Sequence, residues 1–190
     1  VPHAWQAERE VGGDLYDFVP LSGQNLGLLM ADVADKGVPA ALFMALSRTL
    51  VRTMAIDGRA PASAITRAND LILSDARSGL FVTLFYTIIR PEMGEITYVN
   101  AGHNPPFVIR AGGEVETLGP TGMPVGVLEG APYKTGECTL AAGDLITLYS
   151  DGIPETQKID DEDEYGEDRF EQLLVRERAG DLDGLFEQAA

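Results

Sequence analysis

Cysteine is almost absent from this chain: Cys138 is the single one in 190 residues. A disulfide within the chain is therefore excluded, and a reducing, cytoplasmic setting fits. Cys138 lies in the strand-like run 133–140 with no histidine near it, so it reads as a small half-buried residue rather than a nucleophile. Long apolar runs are missing too. No stretch approaches the roughly 18 residues that would suggest a membrane span, and the opening Val1-Pro2-His3 has no basic-then-apolar start. The expectation is a protein with neither signal peptide nor membrane anchor. Basic residues are scarce, with 14 Lys and Arg against 30 Asp and Glu, for a formal charge of −16. From Asp151 onward 14 acidic residues meet 4 basic ones, so ten of those net charges lie in the last forty residues. Such a surface repels nucleic acid and anionic lipid, which excludes both as main partners. There is also no Gly-x-Ser-x-Gly elbow, no P-loop lysine motif and no His-Glu-x-x-His. Serine-nucleophile, nucleoside-triphosphate and zinc-protease chemistries find no support.

What is present suffices for one core. At 45% hydrophobic residues, 1–190 reads as a single domain. Leu26 to Asp32 is a short, nearly continuous apolar run, the mark of a buried strand. Gly37 and Pro39 then start a helix, with proline in the first turn where its missing N–H costs nothing. Phe43, Leu46, Leu50 and Met54 recur at helical spacing, while Arg48 and Arg52 take another face. Asp57-Gly58 closes that helix. Pro61 opens a second, with Ile65, Ala68, Ile72 and Ala76 three or four apart, ending near Ser78-Gly79. The pair reads as two adjacent antiparallel helices.

Beyond Gly79 the period changes to two. Phe81 to Ile89 is β-branched and aromatic throughout, and Pro91 to Glu95 turns it back into Ile96 to Val99. Phe107 to Arg110 and Glu114 to Leu118 form a second hairpin about Gly112-Gly113, and Leu145 to Tyr149 follows a turn at 141–144. The tail from Gly166 to Ala190 favours helix, with Phe170, Leu173 and Leu174 on one face. Runs of strands set apart from a helix pair predict an α+β fold of antiparallel sheets with helices packed outside.

Three aspartates are placed where strand-like runs meet glycine-containing turns: Asp14 in Gly12-Gly13-Asp14, Asp32 in Met30-Ala31-Asp32 and Asp151 in Ser150-Asp151-Gly152. Each alone reads equally well as a turn cap, and Asp32 could pair locally with Lys36. Together they favour a shared site for a hard cation, since ionised carboxylates at strand ends need a cation or several donors. His103, in Asn100-Ala101-Gly102-His103-Asn104-Pro105-Pro106, has two readings, a catalytic base or a loop-fixing residue, with the second favoured. The acidic run 160–164 lacks the glycine and distal glutamate of a calcium loop and reads as a solvated surface segment.

Five motifs occur in order: Gly12-Gly13-Asp14-Leu15-Tyr16-Asp17, Asp32-Val33-Ala34-Asp35-Lys36-Gly37, Phe81 to Phe85, Asn100 to Pro106, and Tyr149-Ser150-Asp151-Gly152-Ile153-Pro154-Glu155. This set resembles the SpoIIE/RsbU-type bacterial branch of the PPM, or protein phosphatase 2C-like, serine/threonine phosphatases. The resemblance implies a four-layer αββα sandwich of two antiparallel sheets flanked by helices, with two Mn²⁺ or Mg²⁺ ions at one end. It implies that Asp32 bridges the ions, that the Val33 carbonyl ligates one, and that Asp14 and Asp151 serve one each. Metal-activated water would then hydrolyse a phosphoserine or phosphothreonine with no protein nucleophile. The implied substrate is a phosphorylated anti-anti-sigma (STAS) protein, with an upstream sensor domain or activator as a further partner.

The sequence departs from the family pattern twice. No Asp-Asp-x-Thr-like segment follows near the C-terminus to supply another acidic ligand, which implies a domain truncated there and an incomplete metal site. Ala34 stands where eukaryotic members have a histidine, leaving Lys36 as a substitute acid or phosphate contact. The alternatives are a catalytically inactive PPM-fold regulatory or binding module and a phosphatase for small metabolites. The helix pair 38–78 follows the Asp32 loop directly, so it reads either as a gate on metal binding or as an ordinary cover for the sheet.

Overall fold

The computed structural model describes residues 13–35, 37–75, 79–157 and 164–178. Among the described residues, eight strands and three α-helices follow one another. They are β1 (Leu15–Pro20), β2 (Leu26–Val33), α1 (Val38–Ile56), α2 (Pro61–Asp75), β3 (Val82–Arg90), β4 (Glu95–Ala101), β5 (Phe107–Ile109), β6 (Val115–Thr117), β7 (Gly136–Thr139), β8 (Leu145–Thr147) and α3 (Glu167–Glu177). Two sheets result, both antiparallel: five strands in the order β1-β2-β3-β4-β7 and three in the order β6-β5-β8. The predicted α+β class and the two-sheet sandwich are both present.

Three separate apolar clusters define the layers. Val82, Leu84, Tyr86 and Ile88 of β3 pack with Phe43, Val51, Ile65 and Ile72 of α1 and α2. Phe85, on the opposite face of β3, joins Ile96, Tyr98, Val108 and Leu118 between the sheets. Phe107 and Ile109, flanking Val108 on β5, meet Phe170, Leu173 and Leu174 of α3. A strand covered on both faces reads as a nearly continuous apolar run, and β3 is such a strand. Each large side chain removed from water here stabilises the fold by roughly 1.5–3 kcal/mol. Cys138 is half-buried on β7 against the cluster between the sheets, as expected.

Some local expectations shift. The buried stripe of α1 is Ala40, Phe43, Met44, Ser47, Val51 and Ala55, with Leu50 and Met54 only partly covered. The helix is rotated so that Arg48 and Arg52 reach Asp17 on β1, at 3.0 and 2.8 Å. Regular strand β8 stops at Thr147, two residues before the predicted end, because Tyr149 turns in to stack on Phe107 with ring centroids 5.3 Å apart. Ala76, the end of the second helix, Lys36, the run 160–163 and the tail 179–190 lie outside the described residues. Gly37, ahead of α1, has φ 91°, a conformation that glycine adopts without steric cost. Among the described residues no helix is long and apolar enough to cross a membrane.

Candidate metal centre

Antiparallel register brings the start of β1 beside the end of β2, since Leu15 is paired with Ala31. Asp14, just before β1, and Asp32, near the end of β2, are thereby neighbours although they stand eighteen positions apart in the chain. The sequence places all three aspartates after strand-like runs. In the structure Asp14 precedes its strand, Asp32 lies within β2, and Asp151 sits in a turn beyond β8. They nevertheless converge: one carboxylate oxygen from each of Asp14, Asp32 and Asp151 lies within 4.8 Å of the other two. All three are half-buried.

Close approach is possible because residue 13 is glycine. A Cβ there would stand 3.2 Å from Asp32 Oδ1, 3.2 Å from the Val33 carbonyl oxygen and 3.3 Å from that of Asp35. The backbone of residue 13 thus closes a small cradle of oxygens that any side chain would crowd. The Val33 carbonyl also accepts the Asp35 N–H at 2.7 Å, a tight turn that aims the oxygen pair at Gly13. Two full charges 4.8 Å apart repel by about 3 kcal/mol at an effective dielectric near 20, and three carboxylates multiply that strain. An all-oxygen donor set of this spacing suits a hard divalent cation such as Mg²⁺ or Mn²⁺. The residues present fit such an ion. Lys36, predicted as a possible phosphate contact, lies outside the described residues.

Two residues around the cluster carry roles that the sequence did not assign. Ser150 Oγ donates to Asp14 Oδ2 at 2.9 Å, tying the turn of Asp151 to the start of β1 across 136 positions. Its only sequence signal was adjacency to Asp151. Thr83, the register partner of Asp32, places its Oγ1 3.4 Å from the Asp32 carbonyl and 3.2 Å from His103 Nδ1. His103 is 4% exposed. Burial pushes its pKa down to about 4, only partly opposed by the Asp14 carboxylate and the Tyr149 carbonyl. Near neutral pH the ring is uncharged. Its backbone N–H donates to Asn100 Oδ1 at 2.9 Å, and Asn100 Nδ2 donates to the Leu118 carbonyl, so the favoured reading as a loop-fixing residue agrees with the geometry.

Residues 22–190 match the family model described as Stage II sporulation protein E (SpoIIE). The chain belongs to the SpoIIE family. The matched span contains Asp32 and Asp151, while Asp14 precedes it. Phosphoserine phosphatase RsbU of Bacillus subtilis is 29% identical over 148 residues, which are 77% of this chain and 44% of RsbU. The SiaA-PP2C domain of Pseudomonas aeruginosa superposes with a TM-score of 0.85 at 21% identity, over 98% of this chain and 74% of that one. A crystal structure of RsbX in complex with magnesium superposes with a TM-score of 0.72 at 19% identity, over 96% and 80%. The two structural likenesses establish a fold of the protein phosphatase 2C type. The chain spans less than half the length of the curated relatives it matches.

Proposed function

We propose that this SpoIIE-family chain is a metal-dependent serine/threonine phosphatase acting on a phosphoserine-bearing bacterial regulatory protein. The observation that carries the reading is the convergence of Asp14, Asp32 and Asp151 within 4.8 Å. RsbU, which shares 29% identity with the chain, is itself a phosphoserine phosphatase, and RsbX binds magnesium in its crystal. The likeness to a phosphoserine phosphatase supports a phosphorylated regulatory protein as substrate, and we assign it to the anti-anti-sigma (STAS) type.

Two divalent ions, when bound, neutralise phosphate charge and make water a competent nucleophile near neutral pH. Asp14, Asp32, Asp151 and the Val33 carbonyl are the residues that would hold the ions, with Asp32 as the ligand common to both. Ser150 orients the Asp14 carboxylate through its 2.9 Å hydrogen bond. Gly13 leaves the cradle open where a side chain would fill it. None of these residues is a nucleophile, in keeping with the missing nucleophile motifs. Hydrolysis of a phosphoserine protein by the full chain, with Mn²⁺ and then with a chelator, tests the proposal. Turnover that depends on Mn²⁺ and disappears in Asp32→Asn and Asp151→Asn is expected. Turnover that survives the chelator and both substitutions would overturn the mechanism.

A further inference from the structure

Exposed apolar side chains are not spread evenly over this molecule. Eight large ones are exposed among the described residues, and six of them, Val38, Leu42, Phe81, Met123, Val127 and Leu128, lie at the end where the three aspartates converge. α1, which carries Val38 and Leu42, starts five residues after Val33, whose carbonyl oxygen crosses Gly13. The Phe81 carbonyl accepts the Ala34 N–H at 3.1 Å, and Phe81 stands two residues before Thr83, the register partner of Asp32. Val125 is bridged to Val82, and Gly122 to Ala101 at the end of β4, so the loop 122–128 reaches the same rim. A lone exposed leucine needs no explanation, whereas a cluster of this kind beside a candidate active site marks a contact surface.

The loop that carries Val127 and Leu128 is fastened from beneath. Asn69 of α2, fully buried, accepts the Gly126 N–H at 3.0 Å and donates to the Leu128 carbonyl at 2.9 Å. The Asp70 carboxylate accepts the Gly130 N–H at 3.1 Å. A Cβ on Gly126 would stand 3.4 Å from the Phe43 ring and 3.5 Å from the Phe81 Cα, so the loop lies against both α1 and the entry to β3. Phe43 points inward, while its neighbour Leu42 and Val38, one turn away, are 68% and 64% exposed. Val127 and Leu128 are thus held on a fixed backbone and still left in water, which gains the isolated chain nothing. Rigid apolar groups of this sort bind a partner with little ordering cost. The segments 37–47 and 118–128 contain no charged residue, although 23% of the whole chain is charged. A rim built to recognise small phosphate esters would draw on cations, and these two segments supply none.

We propose that Val38, Leu42, Phe81, Val127 and Leu128 form the docking surface for the substrate protein, taking an apolar, uncharged face that flanks its phosphoserine. The proposal rests on the phosphatase reading above and deepens it. A phosphoserine on a folded protein reaches ions held by half-buried carboxylates only when the surrounding protein surface rests on this rim. Contact made there, away from the phosphate, selects a phosphoprotein over a small phosphate ester.

The test measures Mn²⁺-dependent turnover of a serine-phosphorylated STAS protein and of p-nitrophenyl phosphate by the full chain. Wild type is compared with Leu42→Gln, Val127→Gln and the double variant, all neutral so that the field at the carboxylates is unchanged. Each single variant should raise KM for the phosphoprotein by about tenfold, and the double variant by more. Turnover of p-nitrophenyl phosphate, Mn²⁺ affinity and unfolding temperature should stay at wild-type values. Equal losses on both substrates would place the effect in the metal centre and overturn the docking role. An unchanged KM for the phosphoprotein would overturn it too, and sedimentation would then show whether the face instead joins two copies of this chain. A wild-type kcat/KM no higher for the phosphoprotein than for p-nitrophenyl phosphate would have the same consequence. If Leu42→Gln does not fold, Val127→Gln decides by the same KM. Wild-type chain that hydrolyses neither substrate with Mn²⁺ would overturn the phosphatase reading itself, a result distinct from all of these.

Discussion

Asp14 and Asp17 stand three residues apart at the start of the same strand, and the protein treats them in opposite ways. Asp17 is buried against α1, and its charge is answered within the chain: Arg48 Nε lies 3.0 Å away and Arg52 Nη1 2.8 Å. Burial alone would raise its pKa, yet the hydrogen bonds and charges of those two guanidinium groups hold it below the usual carboxylate range. Asp14 faces two more carboxylates instead. The first arrangement fastens a helix to a sheet. The second gathers three carboxylates that, in the proposed metal centre, a divalent cation would hold, and that difference is the one to test.

The comparison breaks most sharply at Asp32. Asp32→Asn should lower kcat/KM by about 10³-fold, the upper range for losing one preorganised electrostatic group. The same substitution should leave the metal-free protein folded with little change in stability, because Asn keeps the shape of the side chain. Calorimetry with Mn²⁺ and urea unfolding in chelator would check the two halves separately. Loss of metal-free stability would show that the cluster is a fastening like Asp17.

Acid unfolding sharpens the contrast. His103 has a folded pKa of about 4 against an ordinary 6.5. The unfolded chain therefore takes up a proton between those values that the folded chain refuses. Its contribution is intact above pH 6.5 and falls away by roughly 3 kcal/mol as pH drops toward 4. Asp17 behaves differently: its stabilisation is present above its unfolded value near 3.8 and is lost only as pH falls through its lower folded value. Urea titrations of metal-free protein from pH 7 down to 4, and then on down through the folded value of Asp17, should show two losses, and His103→Phe should abolish the first.

Asp17→Asn should destabilise the fold by roughly 1–3 kcal/mol, discounted because both arginines remain partly exposed. Mn²⁺ affinity should change little. A large loss of affinity at unchanged stability would mean that the two acids are not separate. The smallest effect is expected for Gly13→Ala, whose Cβ would crowd Asp32 Oδ1 and the Val33 carbonyl at 3.2 Å. About a tenfold loss of Mn²⁺ affinity, near 1.4 kcal/mol, with unchanged unfolding is the expected result.

Much of this was legible in the chain. Strand and helix periods place β2, α1, α2, β3 and the β3–β4 hairpin, and the aspartate settings name all three members of the cluster. What escaped is what depends on register and rotation. Arg48 and Arg52 show on the sequence as a polar face, but only the turn of α1 about its axis delivers them to Asp17. The buried stripe shifts with that rotation. Ser150 and Thr83 are small hydroxyl residues beside conspicuous ones, and nothing local marks them as ties. His103 was assigned to its loop, yet its reach to Thr83 on β3 depends on strand pairing that the sequence does not display.

A chain with one cysteine has no covalent way to link its distant parts. The turn holding Ser150 and Asp151 meets Asp14 from 136 positions away, through a single hydroxyl. In the proposed metal centre, ions held by Asp14, Asp32 and Asp151 together would close that same long circuit. A cross-link over about 100 residues restricts an unfolded chain by roughly 4.7 kcal/mol in the entropic account of disulfides. An ionic staple acts on the folded state alone and scales with free metal concentration. The melting temperature of this protein is thereby expected to report the divalent ion level around it, so that supply of metal governs persistence of the fold as well as turnover.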